Sequence, residues 1–545
     1  MRVTSSEPDR VQDPGASAPA GDPDEPVGHR PTSAPIEIVV LALLAVAVGV
    51  VLRFVAHTPL WLDEALSANI AALPPGEILS ALEHDGHPPL YYLLLHGWMQ
   101  LVGEGDEAVR ALSGLISVAS LPVAWFVGRR RGGPLLGWVF VAVLALSPFA
   151  QRYATETRMY SLVALLVLVG YLLVDDAVRR GRGGWRYPVI GLVAGALMLS
   201  HYWAMYLLAA VGLLLVWHAW RRRGTPLARR CVITLAWMVG GVVVVFGWWV
   251  PSMLYQAANT GTPWAAPTRP TVTASIALVD LAAGTGGLAE SPLLAVVTAV
   301  LFALGLFGVA VGRTRVELDL RTNPQVRPEA IVVGLTMALG IVAGYAASSA
   351  FASRYASVLF PLYLLVAAAG VTRFVSRPVR AVVLGAVLAL GLVGASSTAW
   401  SSSAPRRSCW PRASPTTPAL ATSSCTARIS SDRPPAARWW RSAPRARPGD
   451  VPGAHPAPAR RRLGRVRRTA RRRRSRGGGG PGRCARRRRS GVFVVWAGTY
   501  RTLEGQCEAL VGALNERRGN MQFVVGDQGE KYYEHGNLTW FPAKG

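Results

Sequence analysis

Eleven apolar runs organise this chain of 545 residues, and several of them last 16 to 21 residues. A helix of about 20 residues crosses a hydrocarbon layer of about 30 Å, and that layer admits only structures that satisfy their own backbone hydrogen bonds. The runs lie at Ile36–Ala56, Ala108–Gly128, Pro134–Ala150, Met159–Val174, Tyr187–Ser200, Trp203–Ala219, Cys231–Val250, Pro292–Gly312, Ala330–Ala347, Ala356–Val371 and Ala381–Trp400. The fold class that follows is an all-α polytopic membrane protein of about 11 transmembrane helices.

One more run, Pro88 to Gly103, tests the count. It is short, opens on Pro88-Pro89 and carries His96, Tyr91, Tyr92 and Trp98, so it reads as an interfacial or re-entrant helix. With it left out, alternate loops sort the arginines. One side holds 19: Arg129 to Arg131, Arg179, Arg180, Arg182, Arg186, Arg221 to Arg223, Arg229, Arg230, Arg313, Arg315, Arg321, Arg327, Arg373, Arg377 and Arg380. The other side holds Arg152, Arg158, Arg269 and Arg354. The positive-inside rule makes the first side cytoplasmic. The loop His57 to Glu107, with eight acids and no Lys or Arg, is then outside. Residues 1–35, rich in Pro, Ala, Gly, Asp and Glu, read as a disordered cytoplasmic leader, and the first run as an uncleaved signal anchor.

A net charge of +27 invites a nucleic-acid partner, but its location argues against one. Residues 401–490 hold 25 Arg, no Lys and the two acids Asp432 and Asp450, which is +23 of the total. This Arg/Pro-rich tract lacks hydrophobic periodicity and lies on the wrong side for so dense a positive run, so it reads as a frameshifted translation. At about Gly491 ordinary patterning resumes: "VFVVWAG" as a strand, "TLEGQCEALVGALNERR" as a helix and "MQFVVGD" as a strand. Residues 491–545 are expected to be a small α/β extracytoplasmic remnant. Three of the five cysteines (Cys409, Cys425, Cys484) fall in the aberrant tract, with Cys231 in an apolar run and Cys507 near the end. Neither a disulfide framework nor a cysteine metal site follows.

The topology gathers the polar chemistry on the outer face. There lie "WLDEALS" with Asp63 and Glu64, "EHDGHPP" with His84, Asp85 and His87, "QRYATETRMY" with Arg152, Arg158 and Tyr160, "SHYW" with His201 and Tyr202, and "SRY" with Arg354 and Tyr355. Each has an ordinary reading: a solvated helix start, interfacial histidines, arginines anchoring helix ends. Together they supply a carboxylate base, cations for a phosphate and aromatic surfaces for a sugar or lipid. Glu83, His84, Asp85 and His87 are the metal candidates, but they lack a clear helical spacing. A divalent metal is compatible with these residues and not required by them. A transporter or flippase of a lipid-linked substrate is the rival class; such proteins place ionisable groups near mid-bilayer, whereas the runs from Ala108 onward carry almost none away from their ends, Arg53 and Arg110 being the nearest exceptions. There is no Walker-type P-loop.

"LDE" in the first outer loop, "HPPLYY" some twenty residues on, Arg-Met-Tyr at Arg158, "HY" at His201 and "SRYASVLFPLY" at Ser353 resemble the GT-C membrane glycosyltransferases, closest to the protein O-mannosyltransferase and aminoarabinose-transferase-like family. The resemblance covers about Ile36 to Trp400. It implies transfer of a sugar from a polyprenyl-phosphate donor to an extracytoplasmic lipid, glycan or protein acceptor at a bacterial cytoplasmic membrane, with no nucleic acid involved. It also implies Asp63 as general base with Glu64 as its catalytic neighbour. Glu64 and His87 would flank the donor or acceptor, and Arg158 or Arg354 would face the donor phosphate. His84, Asp85, Tyr160, His201, Tyr202 and Tyr355 complete the expected substrate-binding set. Some relatives have Lys-Pro where this chain has His87-Pro88, which makes the charge at that position depend on pH.

Overall fold

The computed structural model describes residues 33–55, 60, 62–259, 269–284, 292–311, 315–346 and 353–403, then 492–496, 512, 514–516, 522–525 and 537–541. It divides into two compact units, Met1–Trp410 and Pro411–Gly545.

The first unit is helical. α1 (Ile36–Leu52) precedes three short helices, α2 (Leu62–Ala71), α3 (Pro75–Asp85) and α4 (Leu90–Val102). α5 (Asp106–Ala145) is two arms joined by a reversal at Gly132-Gly133, where Gly133 takes φ +81°. α6 (Pro148–Ala154), α7 (Tyr160–Val178), α8 (Arg186–Ser200), α9 (Ala204–Arg221) and α10 (Pro226–Gly241) follow. After a π turn and a 3-10 turn come α11 (Val250–Asn259), α12 (Pro270–Ala283) and α13 (Pro292–Phe307). The hairpin β1 (Gly308–Val311) with β2 (Arg315–Leu318) leads to α14 (Arg327–Ala346), a 3-10 turn at Ser353–Val358, α15 (Phe360–Val371) and α16 (Arg377–Ser403).

Proline in the first turn starts α3, α6, α10 and α12, where its missing N–H costs nothing. Ser147 and Thr225 cap α6 and α10 by accepting from Ala150 N and Ala228 N. α1 is apolar all round yet buries only Ile38, Ala42, Ala45 and Gly49, while Leu43 and Leu44 stand exposed. Such a helix has lipid for its solvent on the open face. Small residues set the helix contacts. A Cβ on Gly49 would lie 2.4 Å from Ala145 O, and one on Gly305 or Gly370 would strike the facing backbone of α15 or α13. α15 is buried along its whole length at the centre of the bundle.

Among the described residues six helices are long and apolar enough to cross a membrane, and five shorter apolar helices accompany them. Both arms of α5 fall on expected runs, with "GRRRGG" forming the turn between them. α4, at 13 residues and about 20 Å, is too short to cross. Two details differ from the sequence reading. The run Pro292–Gly312 stops being helical at Phe307 and becomes β1, and α12 is an apolar helix that was not anticipated.

In the second unit β3 (Val492–Trp496), β4 (Gln522–Val525) and β5 (Asn537–Phe541) form one sheet in the order β3-β5-β4. β3 and β4 each pair antiparallel with β5, so they run parallel to one another, as a β-α-β unit requires, with the last strand inserted between them. The expected helix lies outside the described residues except at 512 and 514–516. The expected leader lies outside them except Ser33, Ala34 and Pro35, and the Arg/Pro-rich tract except Ser401 to Ser403.

Candidate active site

Polar residues collect at both ends of α7, whose 19 residues span about 28 Å, close to the hydrocarbon thickness. One end holds the residues singled out above. Asp63 sits in the first turn of α2, where a carboxylate complements the helix N-terminus. Its side chain is 23% exposed, and its Oδ2 lies 3.5 Å from Arg354 Nη1 and 3.8 Å from Arg158 Nη2. Both are ion contacts longer than the ~2.7–2.9 Å of a charge-assisted hydrogen bond.

Arg158, on the loop between α6 and α7, is buried and fixed from several sides. Its Nη1 donates to Ser67 Oγ (3.2 Å), and its Nη2 donates to His87 Nε2 (2.8 Å). Its carbonyl accepts from Ser113 Oγ (3.2 Å). A guanidinium cannot accept, so His87 Nε2 is the bare nitrogen and Nδ1–H donates to Asp85 Oδ2 (2.9 Å). Tyr92 Oη donates to the same oxygen (3.2 Å). Burial raises the Asp85 pKa, but the His87 and Arg158 partners outweigh it and hold the carboxyl below its usual value. Arg158 Nε has no hydrogen-bond acceptor among the described residues, nor has the buried Tyr160 hydroxyl a partner there.

Tyr160, His201 and Tyr355 line one wall, with the His201 ring 5.8 Å from each tyrosine ring. Burial, reinforced by His87, Arg158 and Arg354, pushes His201 down to about 3, so it is neutral. Its Nδ1 accepts from Trp203 N (3.2 Å), which leaves the proton on Nε2.

Three expected residues take other places. Glu64, named beside Asp63 as catalytic, is buried in a two-pronged pair with Arg110 (Nε to Oε1 2.8 Å, Nη2 to Oε2 2.5 Å) and also accepts from Thr157 N (3.0 Å). Adjacent helical residues point about 100° apart, so Asp63 facing the opening turns Glu64 into the protein. Its contacts tie α2 to Arg110 and to the loop that carries Arg158. Tyr202 accepts from Trp249 Nε1 (2.9 Å) and donates to Gln256 Oε1, whose amide binds Leu82 O (2.7 Å); it braces the first loop. His84 does not join the constellation: its Nδ1 meets Ser80 O (3.1 Å) and its ring packs edge-on against Tyr255.

The metal candidates diverge. Glu83 accepts from Ser252 (3.1 Å) and His84 turns to Tyr255, while Asp85 and His87 bind one another. Among the described residues no three His, Cys, Asp or Glu form a metal-holding group.

Ser67, Glu156 and Asp280 escaped the sequence reading, and Arg110 entered it only as a charge near a helix end. Ser67 and Arg110 are ordinary helix residues until their distant partners are known. Glu156 is buried beside Arg152 (3.9 Å), and burial, more than Arg152 offsets, raises its pKa. Its position two residues before Arg158 was the available signal. Asp280 of α12 accepts from Ser353 and so anchors the turn that carries Arg354.

Residues 86–249 match the sequence model of the family described as dolichyl-phosphate-mannose-protein mannosyltransferase. The matched segment includes His87, Arg158, Tyr160 and His201; Asp63 and Arg354 lie outside it. No curated protein matches by sequence. Among solved structures, ArnT from Cupriavidus metallidurans bound to undecaprenyl phosphate is 18% identical with a TM-score of 0.41, over 62% of this chain and 60% of that one. The Saccharomyces cerevisiae protein O-mannosyltransferase Pmt1-Pmt2 complex bound to the sugar donor is 14% identical with a TM-score of 0.31, over 41% of this chain and 36% of that one. The Archaeoglobus fulgidus oligosaccharyltransferase is 13% identical with a TM-score of 0.38, over 66% and 53%. The chain thus spans less than two thirds of the length of each.

Proposed function

We propose that this protein transfers a sugar from a polyprenyl-phosphate donor to a hydroxyl-bearing acceptor at the Asp63 end of the bundle. The observation that carries this reading is the partly exposed Asp63 carboxylate standing between two guanidiniums at 3.5 and 3.8 Å, where the apolar helices stop. A lipid-phosphate donor keeps its tail in the bilayer while its head meets a polar acceptor, so its reaction belongs at this level.

Asp63 accepts the proton of the acceptor hydroxyl as that oxygen bonds to the anomeric carbon. The bond from that carbon to the phosphate oxygen breaks, and its electron pair leaves with the phosphate. Arg158 and Arg354 turn their loose ion contacts from Asp63 to the departing phosphate, with Arg158 Nε as a ready donor. His87, which accepts from Arg158 and bonds Asp85 through its other nitrogen, orients Arg158. Tyr160, His201 and Tyr355 offer faces and a hydroxyl to the sugar. The family description favours mannose among hexoses and pentoses. A bacterial cytoplasmic membrane with the site on the outer face is the setting that the arginine distribution favours.

The test is transfer of radiolabelled sugar from a series of polyprenyl-phosphate donors in membranes, with and without chelator. Asp63→Asn keeps size but removes the basic lone pair, and is expected to cost about 10² to 10⁴ in rate. No transfer from any donor contradicts the proposal. For orientation, a cysteine at exposed Gly76 labels from outside intact cells and one at exposed Arg223 does not; the reverse pattern refutes the outer placement.

A further inference from the structure

A cavity of about 300 Å³ lies between α7, α8, α9, α10 and α14, away from the Asp63 site. Its walls are apolar until they reach the arginine-rich end of the bundle, where Asp175, Arg179, Glu329 and His218 line it. A single water needs roughly 10–15 Å³ of such space, and water enters only where polar partners await it. Hydrocarbon suits these walls instead.

The depth identifies which hydrocarbon. Along α7 the lining runs from Val167 to Arg179, about 18 Å, and along α9 from Leu207 to His218, about 17 Å. Half of a bilayer core is about 15 Å. The cavity therefore holds a chain confined to one leaflet, with its head at the arginine-rich end. Its deepest α7 residue, Val167, is still about 10 Å short of Tyr160. A donor lipid with its phosphate at Arg158 enters from the other end.

The mouth carries a replaceable cation. Glu329 is buried and already accepts from Tyr171 (2.7 Å) and pairs with Arg131 (2.9 Å). Arg179 is the more distant third partner at 3.7 Å, 37% exposed, with a second contact to Asp175 at 3.5 Å. An anionic headgroup can recruit Arg179 without stripping Glu329 of its closer partners. We infer that this cavity binds one acyl chain of an anionic phospholipid of the leaflet at the arginine-rich end, with the headgroup phosphate on Arg179.

The full chain is reconstituted in phosphatidylcholine vesicles doped with phosphatidylglycerol bearing a photoactivatable diazirine in its acyl chain, and the labelled peptides are mapped. Adducts are expected within Val167–Val178 and Leu207–His218. Parallel arms use diazirine phosphatidylcholine and diazirine polyprenyl phosphate, which should label these segments about tenfold less. Ala194→Phe, which fills the cavity wall, should reduce the adducts to a similar extent. Arg179→Gln should erase the preference for phosphatidylglycerol over phosphatidylcholine while leaving helix content unchanged. Adducts confined to the exposed surface around Val243 and Val244, equal labelling by all three lipids, or stronger labelling by polyprenyl phosphate would overturn the inference. The unmodified chain decides the matter even if Ala194→Phe fails to fold.

Discussion

The two ends of α7 carry the same kinds of residue and put them to different uses. At one end, Glu329 meets Arg131, Arg179 and Tyr171, and Asp176 meets Arg130 (3.0 Å), Arg186 (3.1 Å) and Arg180 (3.7 Å). Both carboxylates are buried and surrounded by cations. At the other end, Glu64 repeats that pattern with Arg110, but Asp63 beside it is partly open and touches its arginines only at 3.5 and 3.8 Å. A carboxylate saturated by short contacts ties elements together and has no lone pair to lend. One held loosely at an opening can face a partner from outside. Saturation, rather than residue type, separates the structural acids from the one proposed to react.

The largest effects should come from breaking saturated pairs. Glu64→Gln leaves Arg110 buried without its counter-charge, a change that typically costs about 3–5 kcal/mol. Glu329→Gln should cost stability too, since Arg131 loses its near partner. Thermal unfolding in detergent measures both, and transfer per folded molecule should stay near the parent value for Glu329→Gln. A normal melting temperature for Glu64→Gln would remove the distinction between the neighbouring acids.

Arg354→Ala should act in the opposite sense. It removes a charge-assisted phosphate contact of about 1.5–3 kcal/mol, hence about 10- to 100-fold in donor use, with little change in melting temperature. Kinetics at varied donor concentration should show the loss, and an unchanged donor dependence would take Arg354 out of the site.

The smallest effect concerns pH. His201 is depressed from 6.5 to about 3 in the fold, so the unfolded chain binds the proton more readily between those values. Its contribution to stability is complete above 6.5 and falls away as pH drops toward about 3. The slope of melting temperature against pH in that window should flatten in His201→Gln. An unchanged slope would mean that His201 is protonated in the fold.

The sequence revealed most of the bundle because hydrocarbon permits so few alternatives: apolar length placed the helices, and arginine placed the turns between them. It failed where length is not the signal. α12 has only 14 residues and follows a Pro- and Thr-rich stretch of sequence, so it did not register as a run. Asp63, His87, Arg158 and Arg354 were legible because their short motifs stand out at helix ends. The job of Glu64 was not, since its partner Arg110 lies 46 residues away and reads as a helix-end anchor. Nor could the motif around Tyr202 reveal that its hydroxyl is committed to Gln256 and Trp249, which only the fold brings near.

The most direct test is the rate of sugar transfer per folded molecule, measured side by side for the parent, Asp63→Asn and Glu329→Gln with the same polyprenyl-phosphate donor. Asp63→Asn should lose about 10² to 10⁴ in rate while melting like the parent. Glu329→Gln should melt lower and transfer at close to the parent rate. Parent-rate transfer by folded Asp63→Asn would contradict the account, leaving Asp63 a solvated helix-start acid.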